Sequence, residues 1–392
     1  MTETTLLEQP VDAAAATLGE LETPSLVLDR DRMERNIARL RGRLAKFDVS
    51  LRPHLKTAKS IDVAQRLYPE APGPITVSTL AEAEYFASHG FSDITYAVGL
   101  APDKAERALR LRGRGVDLKV VLDTVDQARA LAAAGAALGV SPAALIEIDS
   151  DGHRGGLAPG DPAIGDVAAA LRDGGVELMG VLTHAGESYG LRTPDALAEA
   201  AEGERAAAVA AAAQLRRDGH ECPVVSVGST PTAHFARNLD GVTEMRAGVY
   251  MFFDLVMHGI GVCRLDDIAV SVLATVIGRK PEKGWILIDA GWMALSRDRG
   301  TASQAVDQRY GVVCDLEGRP YPDLLVAEAS QEHGILALRA GSDQPLPDLP
   351  VGARVRILPN HACATAAQHE AYNVVRGASP VVETRWPRMR GW

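Results

Sequence analysis

Between residues 25 and 250 the chain alternates short apolar, β-rich runs with longer segments whose apolar residues recur at helical spacing. The apolar runs lie at 25–29, 49–57, 75–79, 93–98, 117–124, 144–151, 178–186, 224–230 and 242–248. Alternating strands and helices are typical of parallel βαβ units. Eight or nine units in about 225 residues favour an α/β fold of the (β/α)8-barrel type over a doubly wound sheet. No G-x-G-x-x-G follows the first run, which further disfavours a dinucleotide-binding sheet.

After about residue 260 the pattern changes to strand-like runs joined by Gly and Pro turns, with little helix between them. The runs are DDIAVSVLATVIGR, GWILIDAG, YGVVCDL and GARVRILPNHACAT. We therefore predict a barrel at 25–255 and a mostly β domain formed by 1–24 and 256–392.

Composition and charge narrow the class of partner. The 392 residues are 46% hydrophobic and 23% charged, as in soluble globular proteins. A net charge of −10 argues against nucleic acid or an anionic membrane as the main partner. No signal-peptide pattern, membrane-spanning run or CxxC pair is visible. We expect a cytoplasmic protein with reduced thiols.

In a barrel, chemistry takes place at the C-terminal ends of the strands. Lys56 ends the second run, and a part-buried lysine there loses solvation and can form a Schiff base. Arg154, in the turn DSDGHRGG, suits an anionic oxygen of a cofactor or substrate. His184 and Tyr189 follow another strand in THAGESYG. The alternatives are a solvated lysine, a solvated turn arginine and a hydrogen-bonded core histidine.

Two neighbouring loops resemble a phosphate site. VGSTPT offers backbone N–H groups, hydroxyls and a helix start, which together can hold a phosphate. An ordinary Ser/Thr cap before a proline-led helix is the alternative. EMRAGVY ends the next strand, beside the first loop in a barrel. The loops contribute Gly228, Ser229, Thr230, Arg246, Ala247 and Gly248.

A further cluster lies in the β domain, in PNHACAT. On a strand, His361 and Cys363 would point the same way. Imidazole and thiolate favour zinc or a similar ion, and two ligands leave positions for water or substrate. A core histidine beside a buried cysteine is the alternative. Glu332 and His333 in SQEHG are further ligand or supporting candidates.

Taken in order, RPHLKT, EIDSDGHRGG, LTHAGESY, VGSTPT, RAGVYMFFDLVM and PNHACAT resemble the fold-type III pyridoxal-phosphate enzymes of the D-serine dehydratase/D-threonine aldolase group. The resemblance runs from ETPSLVLD to PNHACAT. It implies an alanine-racemase-like barrel joined to a β domain. The implied cofactors are pyridoxal 5'-phosphate and a divalent metal, which is zinc, manganese, cobalt or magnesium.

The resemblance also implies roles for the barrel residues. Lys56 holds the cofactor covalently, and the GSTPT and RAGV loops hold its phosphate. Arg154 lies near the phenolic oxygen, and His184 lies against the ring. Arg246 and Tyr189 remain competing partners of the pyridine nitrogen.

The activity implied is removal of water and then ammonia from a D-β-hydroxy amino acid, giving oxaloacetate from 3-hydroxyaspartate or pyruvate from serine. Lys56 removes the α proton, and the metal at His361 and Cys363 polarises the β-hydroxyl. Aldolases of the group often carry H-x-D, so Cys363 favours dehydration, and no tyrosine matches the second base of a racemase.

Three alternatives stay open. One is retro-aldol cleavage to glycine and an aldehyde, and another is a non-catalytic pyridoxal-phosphate-binding protein. The third is a metal-dependent barrel hydrolase. Because metal and lysine come from different domains, we expect a homodimer. Arg297 and Arg299 in SRDRG are candidates for a second substrate carboxylate, or else surface arginines.

Overall fold

The computed structural model describes residues 16–392 and places its strands in two sheets. The strands are β1 (Ser25–Asp29), β2 (Ser50–Pro53), β3 (Ile75–Val77), β4 (Asp93–Gly99), β5 (Asp117–Leu122), β6 (Ala143–Ile148), β7 (Glu177–Thr183), β8 (Val224–Val227), β9 (Glu244–Ala247), β10 (Val270–Lys280), β11 (Trp285–Ile288), β12 (Val312–Cys314), β13 (Pro320–Ala329), β14 (Gly334–Leu338), β15 (Arg354–Leu358), β16 (Ala371–Val375) and β17 (Thr384–Pro387). The helices are α1 (Arg30–Leu44), α2 (Ile61–Leu67), α3 (Leu80–Ser88), α4 (Ala105–Arg112), α5 (Val125–Leu138), α6 (Ala163–Asp173), α7 (Pro194–Arg217), α8 (Thr230–Phe235), α9 (Leu255–Gly259), α10 (Trp292–Leu295) and α11 (Ala362–Ala366).

The first sheet is the predicted eight-stranded parallel barrel. Strands β3 to β9 pair in chain order, and β9 also pairs with β2. A bridge between His54 and Thr76 closes the gap between β2 and β3. A helix follows each strand, and these helices bury their apolar faces against the barrel. The (β/α)8 prediction is confirmed.

The second sheet is antiparallel apart from one pair of strands. Six strands form a closed ring in the order β10, β11, β14, β13, β12 and β15, because β11 pairs with both β14 and β10. Strands β1, β16 and β17 extend the sheet outward from β10. The prediction of a second, mostly β domain is confirmed, and its exact boundaries stay a prediction.

Residues 25–29 do not form the first strand of the barrel, so the prediction that the barrel begins at residue 25 is wrong. These residues form β1, which lies antiparallel to β10 and parallel to β16. Both faces of β1 are covered: Leu26 and Leu28 join the main core, and Val27 packs with Leu18 on the opposite side. A continuous apolar run does not encode which sheet it joins.

Residues 16–24 pack against the second sheet, where the N–H of Leu18 donates to the carbonyl of Pro380 at 2.8 Å. The expectation for residues 1–15 lies outside the described residues. None of the helices in the part of the chain that the structure describes has the length and apolar character needed to cross a membrane.

Candidate active site

A cavity of about 560 Å³ opens at the C-terminal ends of the barrel strands. Residues from the second half of the chain, including the segment before α11, form its other wall. Its lining includes the twelve main site residues predicted from the sequence: Lys56, Arg154, His184, Tyr189, Gly228, Ser229, Thr230, Arg246, Ala247, Gly248, His361 and Cys363.

Lys56 lies in a tight turn after β2, here called the lysine turn (residues 54–59). The N–H of His54 donates to the carbonyl of Ala247 at 2.8 Å, and the N–H of Lys59 donates to that of Leu55 at 2.8 Å. Lys56 itself is exposed, not part-buried as predicted, because the turn faces the open mouth of the cavity. Backbone hydrogen bonds thus hold the turn in place, while the Lys56 side chain is exposed at the cavity.

A buried carboxylate organises the GSTPT loop. Glu204, on α7, accepts hydrogen bonds from the N–H groups of Ala185 and Gly228, both at 2.9 Å, and from the hydroxyl of Thr232 at 2.7 Å. Ser229 caps α8 by accepting from the N–H of Thr232 at 3.2 Å. The buried hydroxyl of Thr230 has no partner among the described residues. Thr230 therefore keeps a polar atom available to a ligand in the cavity.

Gly228 lets the two loops approach each other closely. Its φ is +134°, and a Cβ there would lie 2.1 Å from the carbonyl oxygen of Arg246, so only glycine fits. The Arg246 guanidinium is buried in the barrel, where it donates to the hydroxyl of Ser226 at 2.6 Å and the carbonyl of Thr183 at 2.5 Å. Arg246 is thus a fixed positive group beneath the cavity.

His184 is held as a neutral ring. Burial lowers its pKa to about 3, so Nδ1 carries a proton and donates to the carbonyl of Gly228 at 3.1 Å. The Tyr189 ring lies 6.3 Å from the His184 ring, centre to centre. Arg154 is 59% exposed and only 3.9 Å from Glu147, whose pKa is raised by burial. These residues line one side of the cavity.

His361 and Cys363 lie at the start of α11 instead of on a strand, so the predicted element is wrong. His361 has extended backbone angles and precedes the helix, while Cys363 lies in its first turn. The cause is Asp254, a buried carboxylate that accepts from the N–H of Ala362 at 3.0 Å and from the N–H of Met257 at 2.9 Å. An acidic acceptor at that point favours a helix start.

The two side chains nevertheless converge. The Nδ1 of His361 donates to Asp298 at 2.6 Å, which leaves Nε2 for another partner. Burial by itself raises the pKa of Cys363, but the charge and hydrogen bond of His361, together with Lys56 and Thr57, lower that pKa below its usual value. The Cys363 sulfur lies 3.1 Å from the hydroxyl of Thr57, next to Lys56. Within residues 16–392, no three His, Cys, Asp or Glu side chains cluster in a metal-binding arrangement.

Four weaker candidates lie elsewhere. Glu332 and His333 are exposed and do not line the cavity. The Arg297 guanidinium lies 4.9 Å from the centre of the Trp292 ring. Arg299 is paired with Asp307 at 2.5 Å. The two arginines thus contact other side chains, and neither is among the residues that line the cavity.

Sequence reasoning missed three acidic residues that position the site. Asp254 precedes a short helical run in FFDLVM, which is an N-cap signal. Asp298 stands between the two arginines that were singled out in SRDRG. Glu204 lies in an alanine-rich helix, where a glutamate is indistinguishable from a solvated surface residue.

Comparisons with known proteins assign both parts of the chain to described families. The family model "Alanine racemase, N-terminal domain" matches residues 28–256, and "Putative serine dehydratase domain" matches residues 269–375. D-threo-3-hydroxyaspartate dehydratase from Delftia sp. (strain HT23) is 55% identical over 96% of this chain and 99% of that protein.

Two solved structures share the fold of this chain over nearly its whole length. A cysteine-to-alanine variant of D-threo-3-hydroxyaspartate dehydratase in the metal-free form is 54% identical, covers 96% of this chain and 100% of its own, and gives a TM-score of 0.93. D-threonine aldolase from Filomicrobium marinum is 28% identical, covers 96% and 97%, and gives a TM-score of 0.80. The chain therefore belongs to the fold-type III pyridoxal-phosphate enzymes, in the group that joins an alanine racemase N-terminal domain to a serine dehydratase domain.

Proposed function

We propose that this chain is a pyridoxal-phosphate- and metal-dependent dehydratase of D-β-hydroxy amino acids that converts D-threo-3-hydroxyaspartate to oxaloacetate and ammonia. The observation that carries the proposal is the 3.1 Å contact between the Thr57 hydroxyl and the Cys363 sulfur, which brings the lysine turn to the His361/Cys363 pair. The 55% identity to D-threo-3-hydroxyaspartate dehydratase over 96% of the chain supports the choice of substrate.

The cavity fits pyridoxal phosphate. Thr230 has a buried hydroxyl without a partner among the described residues, and Gly228 and Gly248, from the two loops, line the same cavity, as expected of a phosphate site. When bound, this cofactor supplies an aldehyde for amines and a ring that withdraws electron density from the substrate α-carbon.

The chain's own residues orient the reactants. Lys56 holds the cofactor and, once displaced by substrate, takes the α proton at its amine. His184 presents a neutral ring face, because burial lowers its pKa to about 3, and its Nδ1 proton bonds to the Gly228 carbonyl. Arg154 would lie near the phenolic oxygen of the cofactor. Arg246 and Tyr189 both line the cavity, and the proposal leaves the pyridine nitrogen to one of them.

The donor set at α11 fits a catalytic divalent metal. Cys363 and His361 each shift the pKa of the other toward its charged form, as a thiolate and an imidazolium do. A bound ion would take the place of the His361 Nε2 proton and leave a thiolate and a neutral imidazole, the forms that ligate a metal. Asp298 occupies Nδ1 of His361 and so aims Nε2 outward, as carboxylates behind metal-binding histidines do. Zinc suits this pair best, with manganese, cobalt and magnesium as alternatives. His361 and Cys363 would hold the ion beside the substrate's β-hydroxyl, a poor leaving group.

The test is release of ammonia and a 2-oxo acid from D- and L-isomers of 3-hydroxyaspartate, serine and threonine, with and without a chelator. We expect D-threo-3-hydroxyaspartate to give both products and the chelator to suppress them. D-serine is the second candidate substrate, favoured by the match of residues 269–375 to the serine dehydratase domain.

Other outcomes would overturn the proposal. Glycine plus an aldehyde would indicate the aldolase alternative, and no turnover of any isomer would indicate a cofactor carrier. Turnover of L-isomers alone would contradict the stereochemical assignment. The homodimer and the cytoplasmic location remain predictions, the first of which sedimentation equilibrium would test.

A further inference from the structure

Arg388 is a buried arginine that directly follows the edge strand β17. It is 7% exposed, and no carboxylate among residues 16–392 pairs with it. Its guanidinium instead donates to one phenol oxygen and to four backbone carbonyls. The acceptors are Tyr372 Oη at 2.9 Å, Ala58 O at 3.1 Å, Thr57 O at 3.4 Å, His369 O at 3.0 Å and Ala366 O. A buried cation satisfied only by neutral acceptors is costly to desolvate, so its placement calls for an explanation.

The acceptors belong to two different parts of the active site. Thr57 and Ala58 lie in the lysine turn. Ala366 is the last residue of α11, the helix whose first turn carries Cys363, and His369 lies in the turn that follows this helix. Carbonyls at the C-terminal end of a helix carry a partial negative charge and are suitable acceptors for a cation. One guanidinium therefore ties the lysine turn to the helix that carries the metal-type pair.

Arginine is suited to this bridge in a way that lysine is not. The guanidinium holds five N–H donors in a rigid plane, so Nε and Nη2 can serve one acceptor group while Nη1 serves the other. A lysine ammonium is a single point with three donors. The backbone supports the same connection, because the N–H of Met389 donates to the carbonyl of Lys59 at 2.7 Å and the N–H of Arg388 to that of Glu370 at 2.8 Å.

We propose that Arg388 is a positioning residue that sets the separation between the Lys56 amine and the His361/Cys363 pair. This rests on the proposed function. Removal of the substrate's α proton needs Lys56 alone, whereas departure of the β-hydroxyl also needs the metal at a fixed distance from the same substrate. Loosening the bridge therefore slows elimination more than α-proton exchange.

The variants are Arg388→Lys and Tyr372→Phe, compared with Arg390→Lys in the holoenzyme. Arg390 lies on the same C-terminal segment but is exposed and paired with Glu370 at 3.0 Å, so it is a matched control. Tyr372 accepts from Arg388 Nε and donates to Ala58 O at 2.8 Å. It tests the same bridge if Arg388→Lys does not fold.

Two rates are compared: kcat for ammonia release, and exchange of the substrate's α proton with deuterated solvent followed by NMR. For Arg388→Lys we expect kcat to fall about 10- to 100-fold, the range that small misplacements of reacting groups produce, and exchange to fall less than about threefold. For Tyr372→Phe we expect the same pattern with a smaller fall, in which kcat again falls more than exchange, and for Arg390→Lys we expect no change in either rate. A parallel fall of both rates, or no fall, overturns the proposal.

A readout independent of turnover is amide hydrogen exchange by mass spectrometry in the metal-chelated protein. We expect faster deuterium uptake in peptides spanning 54–60 and 362–369 for Arg388→Lys but not for Arg390→Lys. The metal Kd stays within about twofold, because both ligands remain on one segment. Faster uptake in only one of the two peptides contradicts a bridge. If the wild type releases no ammonia, the proposed function fails, and the uptake pattern still decides whether Arg388 links the two segments.

Discussion

Asp298→Asn tests the hydrogen bond that orients His361 while it leaves both proposed metal ligands, His361 and Cys363, in place. Asp298 accepts the Nδ1–H of His361 at 2.6 Å, and both side chains are 40% exposed. The asparagine has the same shape but offers a neutral, weaker acceptor, and its amide can rotate to present a donor instead. His361 then loses the contact that fixes its ring orientation and its tautomer, while Cys363 and Lys56 are untouched.

The size of the effect follows from the contact. Removing the partner behind a metal-binding histidine lowers metal affinity by about 10- to 100-fold, or roughly 1.4 to 2.8 kcal/mol. Because this pair is partly exposed, water can replace part of the lost hydrogen bond. We therefore expect about a tenfold rise in the metal Kd for Asp298→Asn and a larger rise for Asp298→Ala.

The assay titrates zinc into the chelated, cofactor-loaded protein in competition with a chromophoric chelator, and repeats the titration by following ammonia release. Activation should shift to higher metal by the same factor, with kcat at saturating metal retained within about threefold. Glu187→Gln is the matched control, since Glu187 accepts from the Nδ1 of His153 at 2.8 Å in the same cavity. Equal shifts in both variants, or no shift for Asp298→Asn, would refute the reasoning.

Three further predictions concern the cofactor side. Glu204→Gln replaces a carboxylate that accepts three hydrogen bonds by an amide that is partly a donor. We expect it to lower the free energy of unfolding, measured by denaturant titration, by about 1–3 kcal/mol, and the exposed Glu202→Gln to change it by about zero. Equal changes in the two variants would contradict the role of Glu204. Gly228→Ala forces a Cβ against a carbonyl, and cofactor affinity should fall at least about tenfold in an absorbance titration, unlike Gly203→Ala on the open face of α7. Borohydride reduction of the holoenzyme should label Lys56, and a label on another residue would remove the basis of the proposed chemistry.

The barrel was predictable because its strands and helices repeat at clear periods, and the site followed because barrel chemistry gathers at one end of the strands. The twelve main residues predicted for the site line one cavity. The prediction for residues 25–29 was wrong because a strand that is buried on both faces has the same apolar sequence pattern in either sheet. Its partner, β10, begins at Val270, far along the chain, and no local pattern records that pairing.

His361 and Cys363 lie close together as predicted, although the prediction placed them on a strand and they lie at the start of a helix. Spacing of two residues aligns side chains on a strand. Here the same spacing works because His361 keeps an extended backbone before α11 and Cys363 enters the first turn. The helix start depends on Asp254, whose carboxylate is 108 positions away from the N–H that it accepts. Spacing identifies which residues act together, whereas distant acceptors decide the conformation that joins them.

The groups that hold the site are therefore the ones that sequence patterns hide. Glu204 looks like a solvated helix residue, and Arg388 looks like a basic residue near a chain end, yet both are buried and satisfied by partners from distant segments. Each such group must find all its acceptors or donors at once, because a buried polar group without partners is costly. This requirement couples the lysine turn, the GSTPT loop and α11 more strictly than apolar packing does. A substitution at Arg388 should consequently change the balance between proton removal and elimination without altering any motif by which the chemistry is recognised.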